Sequence, residues 1–212
     1  MKVHLITEKI VSDAVKSGLG ELAVTLQTLI TPLARDRARD LGLSFVMTSA
    51  LIPKPSLKSE GRTVALGSDH SGFAAKTELV QFLAAQGFGI LDVGTDSDKS
   101  CDYPDFAFKV GEAVMTGQAS FGIMIDGVGT ASAVVLNKMP FVRAVSCCNE
   151  FTAKIARAHG DANVLTLGAR TQGIEILKSL SHLFLTTAFE AGRHTARLEK
   201  IHAIEQKFLK PR

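Results

Sequence analysis

Hydrophobic and polar positions along the chain fall into two regimes that meet at IPKPSLKSEGR, Ile52 to Arg62. Before that stretch the pattern is short-ranged. Ile10, Val11, Ala14 and Val15 recur at helical spacing within residues 7–17, and Gly18 stands where such a helix would stop. LAVTLQTLI (22–30) has the apolar, β-branched character of a strand. Thr31 is placed to cap a helix that carries Pro32 at its first position and ends before Gly42. LSFVMTS (43–49) reads as a further strand. The stretch at Ile52 to Arg62, with two prolines, two serines and a glycine, reads as a linker. The pattern therefore predicts a small N-terminal α/β extension with its linker, residues 1–60, followed by a larger domain over residues 61–212. The extension alone is too small to bury much core.

After the linker the rhythm becomes regular. Five strand-like runs appear: TVALGSD, FGILDVG (88–94), SFGIMID (120–126), FVRAVSC (141–147) and NVLTLG (163–168). Between and after them lie helical patterns at Gly72 to Ala85, Asp105 to Met115, GVGTAS to about Lys138, Asn149 to Ala158, Gly173 to Thr186 and His194 to Phe208. In the first of these Phe73, Leu79, Val80, Phe82 and Leu83 mark the apolar side. Strands alternating with helices mean right-handed βαβ units, hence an α/β fold with a doubly wound sheet of five parallel strands covered on both faces. In such sheets ligands sit at the carboxyl ends of the strands, near the point where strand order reverses.

Composition narrows the function classes. An apolar fraction of 46% with 21% charged residues is ordinary for a water-soluble domain. No apolar run approaches the roughly 18–20 residues needed to span a bilayer. MKVHLITEKIVSDAVKSG carries charges every few residues, unlike a secretory segment, so a cytoplasmic protein is expected. A net charge of +3, no Trp, one Tyr and scattered arginines do not form the basic, aromatic-interleaved stripe of a nucleic-acid binder. Cys101, Cys147 and Cys148 fit neither a disulfide framework nor a zinc spacing. At least one of the adjacent pair, following the strand-like RAVS, is expected to be a small buried hydrophobe.

The polar residues at the strand ends carry the candidate chemistry. Asp69 and His70 close the first strand of the regular region, where a carboxylate and an imidazole can bind a sugar hydroxyl and a phosphate; Asp69 can equally cap the following helix. The third strand runs into Asp126, Gly127, Val128, Gly129, Thr130, Ala131 and Ser132. Glycines there let backbone N–H groups converge on an anion, an enediolate oxygen in an isomerase or a phosphate in a nucleotide binder. His159 lies between a helix and the fifth strand, as a structural or a catalytic imidazole. Arg193 and Arg197, four apart, project from one helix face, either as a phosphate grip or as a solvated basic turn.

GSDHSGFAAK, DYPDFA, FGIMIDGVGTASAVVLNK, RAV, AHGDANVLTLGAR and EAGRHTARLEKI occur in this order. Together they resemble the ribose-5-phosphate isomerase B / galactose-6-phosphate isomerase family over nearly all of residues 63–208. The resemblance implies a Rossmann-like subunit that forms a homodimer or dimer-based oligomer with active sites shared between subunits, and no metal or organic cofactor. It implies phosphate binding by His70, Arg170, Arg193 and Arg197, sugar contacts from Asp69 and Tyr103, and ring opening by His159. The loop Gly127 to Ser132, including Gly129, Thr130 and Ala131, matches the hole that holds the enediolate.

The chain departs from the family pattern where protons move. The family's usual carbon base is a Cys where this chain has Asp126; a carboxylate serves as base in other aldose–ketose isomerases but changes reach and basicity. Val128 replaces a Thr, Ala131 a Gly, and Gly160 the Asn that commonly follows the ring-opening His. A branch without the Cys uses a Glu where Ser132 stands. The pattern around Asp126 looks like the A subunit of galactose-6-phosphate isomerase, which works with a second, different subunit, although this chain keeps His70. The expected function is interconversion of an aldose and a ketose phosphate of pentose or hexose size through an enediolate, with Asp126 as base. Alternatives are a non-catalytic phosphosugar-binding or partner subunit, and a scaffold whose N-terminal piece is the functional part. ITPLARDRARDLGL faintly resembles segments of accessory proteins of bacterial microcompartments, which implies association with such a compartment.

Overall fold

The structure, a computed structural model, describes residues 5–24, 28–47 and 62–209. The linker expected over Ile52 to Arg62 lies outside the described residues except for Arg62 itself. The chain divides into two compact units, Met1–Ile52 with Ile204–Arg212, and Pro53–Ala203. Among the described residues no helix is long and apolar enough to cross a membrane.

The smaller unit is built from two similar β-α-β halves. The first comprises β1 (Leu5–Ile6), α1 (Glu8–Lys16) and β2 (Glu21–Val24); the second comprises β3 (Leu29–Ile30), α2 (Pro32–Asp40) and β4 (Ser44–Met47). β1 pairs in parallel with β3, and β2 with β4, so each strand finds its counterpart in the other half. Both helices are preceded by a threonine, of which Thr31 accepts a bond from the Ala34 N–H. Each is followed by a glycine at positive φ, Gly18 and Gly42, the conformation that closes a helix with least strain. The expected single strand over residues 22–30 is instead β2 and β3, which belong to different sheets. Ile6, Val11, Ala14, Val24, Ala34, Ala38 and Leu43 form the core of this unit. Three of the seven are alanines, which limits the apolar area the unit removes from water.

The larger unit carries the five-stranded parallel sheet. Its strands are β5 (Thr63–Ser68), β6 (Gly89–Asp92), β7 (Phe121–Asp126), β8 (Ala144–Ser146) and β9 (Val164–Gly168), in the order β6-β5-β7-β9-β8. Helices α3 (Phe73–Ala85), α6 (Glu150–Ala158) and α7 (Ile174–Thr186) contribute to one apolar layer, with Leu79, Leu83, Ala153, Leu177, Leu180 and Phe184 fully buried. Helices α4 (Tyr103–Met115) and α5 (Thr130–Leu136) contribute to the other, with Ala107, Val110, Val114 and Leu136. The doubly wound α/β architecture expected from the sequence is therefore the one observed. β5, β7 and β9 occupy the centre and are buried almost throughout, which requires apolar residues on both faces and explains their continuous hydrophobic runs. α8 (Thr195–Leu209) follows a 3-10 turn at Gly192–His194.

The fourth strand of the regular region is shorter than the run FVRAVSC suggests. Phe141 takes a φ of 64°, and Asn163 pins the chain there: its side chain accepts from the Arg143 N–H at 2.8 Å and donates to the Phe141 carbonyl at 2.7 Å. Residues 141–143 thus turn around an amide side chain, and the ladder starts only at Ala144. Of the adjacent cysteines, Cys147 is buried and Cys148 exposed. Burial pushes the Cys147 thiol above its ordinary pKa, consistent with a packing role.

Candidate active site

The strand order reverses between β5 and β7, and the polar residues expected to matter stand at the carboxyl ends of these two strands and of β9. Asp69 follows β5. Its Oδ1 accepts from the N–H groups of Ser71 (2.8 Å) and Gly72 (3.1 Å), which closes the corner into α3. Capping is thus realised, while Oδ2 accepts no bond among the described residues. His70 is half-buried, and its Nδ1 lies 3.2 Å from both the N–H and the carbonyl of Cys101. That contact ties the end of β5 to the segment leading into α4, whose first residue is Tyr103.

Asp126 ends β7, 4% exposed. Its Oδ1 accepts from the N–H groups of Val128, at 2.8 Å, and of Gly129. Its Oδ2 accepts from the Ser132 N–H, at 3.1 Å, and from the Ser132 hydroxyl. A carboxylate presents about four acceptor sites, and here all of them face donors of its own loop. Three N–H groups expected to line an anion hole therefore point at Asp126, whereas those of Gly127, Thr130 and Ala131 find no acceptor among the described residues. Gly129 has a φ of +87°, and a Cβ there would lie 2.9 Å from the Leu167 carbonyl carbon of β9, so both dihedral and space call for glycine. Arg170, just after β9, donates its N–H to the Gly127 carbonyl at 3.0 Å. Its guanidinium reaches Ser71 Oγ at 3.2 Å, bridging the ends of β5 and β7. Asp69, His70, Asp126, the glycine loop and Arg170 thus form one group, with Tyr103 at its border.

The remaining predicted residues form a second group. His159 caps the C-terminus of α6, and its ring stacks on that of His194 with centroids 4.0 Å apart and planes 13° from parallel. Its Nε2 lies 3.4 Å from Oε2 of Glu190. Arg193 donates from Nε to His194 Nε2 at 3.4 Å, and Arg197 approaches Nδ1 of the same ring at 3.4 Å. His194 is buried, and burial first, then the charges of His159, Arg193 and Arg197, push its pKa below the ordinary histidine value. Among the described residues no hydrogen bond, ion pair or ring contact joins this group to the first.

His159, Glu190 and His194 offer ligand atoms within 4.8 Å of one another, the arrangement nearest to a cation site. Two features suit it poorly to a metal. The imidazoles are stacked, so their in-plane lone pairs run side by side rather than converging, and each nitrogen of His194 faces a guanidinium. The local charge suits an anion instead.

The sequence profile of the family described as Ribose/Galactose Isomerase matches residues 64–201. The chain belongs to that family. It is 40% identical over 146 residues to ribose-5-phosphate isomerase B of Escherichia coli (strain K12), covering 69% of this chain and 98% of that protein. It is 34% identical over 139 residues to galactose-6-phosphate isomerase subunit LacA of Streptococcus equi subsp. zooepidemicus, covering 66% and 96%. Among solved structures, ribose-5-phosphate isomerase B of Clostridium thermocellum superposes with a TM-score of 0.68 at 40% identity, covering 69% of this chain and 99% of the other. The match leaves the smaller unit uncovered, so the microcompartment association drawn from ITPLARDRARDLGL gains no support from these relatives.

Sequence reasoning passed over Cys101, Glu190 and His194. Glu190 and His194 lie inside the motif EAGRHTARLEKI already marked, and Cys101 directly precedes DYPDFA, but nothing in their spacing says which neighbour they touch.

Proposed function

We propose that this chain is an aldose–ketose isomerase for a pentose or hexose phosphate, working through an enediolate. The observation that carries the reading is the convergence of His70, Arg170 and the Asp126 loop at the carboxyl ends of β5, β7 and β9 in a member of this isomerase family. His70, Arg170, Arg193 and Arg197 hold the phosphate, Asp69 and Tyr103 meet sugar hydroxyls, and His159 opens the ring. Asp126 moves the proton between C2 and C1. Since its oxygens are fully engaged, the Ser132 hydroxyl must turn away to free Oδ2; a hydroxyl rotor is the donor most easily redirected. Gly127, Thr130 and Ala131 N–H groups are left for the enediolate oxygen.

Within one chain no hydrogen bond, ion pair or ring contact joins the two groups among the described residues, which supports a homodimer or dimer-based oligomer whose sites each combine one group from either subunit. Light scattering is expected to give at least a dimer at micromolar concentration; a monomer contradicts the shared site. The four donors on Asp126 favour a second reading, a phosphosugar-binding or partner subunit in which this carboxylate only braces the loop. A panel of pentose and hexose phosphates assayed with the purified chain separates the two. Ketose formation from one of them supports the isomerase, and binding without turnover of any supports the partner subunit.

A further inference from the structure

Glu190 has no part in the roles assigned so far, yet it is built into the second group. Its N–H donates to the Ala158 carbonyl at 2.9 Å, fixing it beside the residue that precedes His159. Its carboxylate meets the His159 ring at the Nε2 edge, 3.4 Å away, while His194 covers a face of the same ring. One turn delivers both neighbours. Ala191 lies between them at φ 55° and ψ −134°, a backbone state an L-residue adopts only when its surroundings impose it. The His194 N–H returns to the Ala191 carbonyl at 3.0 Å and closes the turn. A strained non-glycine residue whose two flanks hold one imidazole by edge and face points to a constraint on that imidazole.

We infer that Glu190 is a positioning residue for sugar-ring opening: its carboxylate takes the Nε2–H of His159 and leaves Nδ1 as the nitrogen that meets the sugar. This rests on the isomerase reading. In the step, Nδ1 accepts the proton of the anomeric hydroxyl, and the C1–O1 bond becomes a carbonyl as the bond from C1 to the ring oxygen breaks. The ring oxygen keeps that electron pair and receives the same proton back from Nδ1. No oxidant or reductant is consumed. Between the two transfers His159 is an imidazolium, and Glu190 is the carboxylate at its Nε2 edge, placed to stabilise that charge and orient the ring.

The other groups around His159 fit this assignment. His194 is held below its ordinary pKa by burial and by its cationic neighbours, which disfavours a second positive charge on the stacked pair. Arg193 and Arg197 stand behind His194, on its ring nitrogens. On α6, Arg157 turns away to Asp161 and the Ala162 carbonyl. Glu190 is therefore the one carboxylate that faces the His159 ring among the described residues.

The test compares two aldose phosphates. Ribose 5-phosphate closes a five-membered ring, whereas a four-carbon aldose 4-phosphate cannot, because the oxygen that would close it carries the phosphate. Glu190 is 57% exposed on its side chain, so Glu190→Ala and Glu190→Gln are not expected to disturb folding. Glu190→Ala should lower the ratio of kcat/KM for the ring-forming substrate to that for the open one by roughly 10-fold or more, with Glu190→Gln in between. Nitrogen-15 NMR should show His159 losing its preference for the Nε2–H tautomer in Glu190→Ala. Equal losses on both substrates, or an unchanged tautomer preference, overturn the inference. If the parent turns over neither sugar, this pair gives no ratio, and only failure on every pentose and hexose phosphate marks the isomerase reading itself as failed. The NMR result then decides the role of Glu190 alone: a lost preference sustains the pairing and an unchanged one refutes it.

Discussion

Asp126→Asn tests how far one carboxylate organises the glycine loop. The amide oxygen can keep the N–H bonds of Val128 and Gly129, but its NH2 group then faces the Ser132 N–H, donor against donor. The Ser132 hydroxyl can rotate to accept, so one bond is lost, one buried N–H is left without an acceptor, and the retained bonds lose their charge assistance. An unsatisfied buried donor costs about 1–3 kcal/mol, and charge-assisted bonds exceed neutral ones by about 1 kcal/mol. The substitution should therefore destabilise the fold by about 2–4 kcal/mol, lowering Tm by roughly 5–15 °C for a chain of this size. Thermal and urea unfolding of parent and variant measure this. If Asp126 is also the base, Asp126→Asn loses turnover while phosphosugar affinity, set by His70 and the arginines, persists. A variant within about 0.5 kcal/mol of the parent would show that the carboxylate does not brace the loop, and the donor geometry at Asp126 would carry no argument about its role.

Replacing Arg193 and Arg197 together by Ala should weaken phosphosugar binding by on the order of 100-fold, since each charge-assisted bond contributes about 1.5–3 kcal/mol; calorimetry showing unchanged affinity would place the phosphate elsewhere. Gly129→Ala should cost about 2 kcal/mol or more, because it forces a side chain to φ +87° and against Leu167 of β9, and a melting curve like the parent's would contradict that packing. A chain lacking residues 1–60 is expected to remain soluble and folded, since the family match starts at residue 64. Aggregation of that shortened chain would make the smaller unit part of the fold rather than an appendage.

The parts of the fold that could be read from sequence are those whose burial is two-sided. Val64 to Leu66, Phe121 to Ile125 and Val164 to Leu167 are packed from both faces, so their runs are apolar but for the buried Thr166 and stand out from the polar segments around them. The same logic put Asp69 and Asp126 at strand ends, whereas Arg170 was reached only through the family resemblance. Short elements escaped. The strands β1 and β3 are two residues long, too short for a period to show, and the repeated halves leave only isolated echoes such as Leu-Ile-Thr at residues 5–7 and 29–31 and Gly-Leu at 18–19 and 42–43. The early end of β8 depends on Asn163, a side chain distant in sequence. Glu190 and His194 depend on the conformation of Ala191, a residue whose type gives no sign of positive φ. Nor does any spacing rule reveal that the loop beyond Asp126 aims its donors at the aspartate itself.

The central claim is that this chain moves a proton between C2 and C1 of a sugar phosphate. Incubating the purified protein with pentose 5-phosphates and hexose 6-phosphates in D2O, followed by proton NMR, observes that proton directly. The account predicts interconversion of one aldose–ketose pair, with deuterium entering at C2 of the aldose and at C1 of the ketose as the enediolate exchanges with solvent. Bound phosphosugar with neither interconversion nor deuterium at those carbons, for every sugar tried, would contradict it.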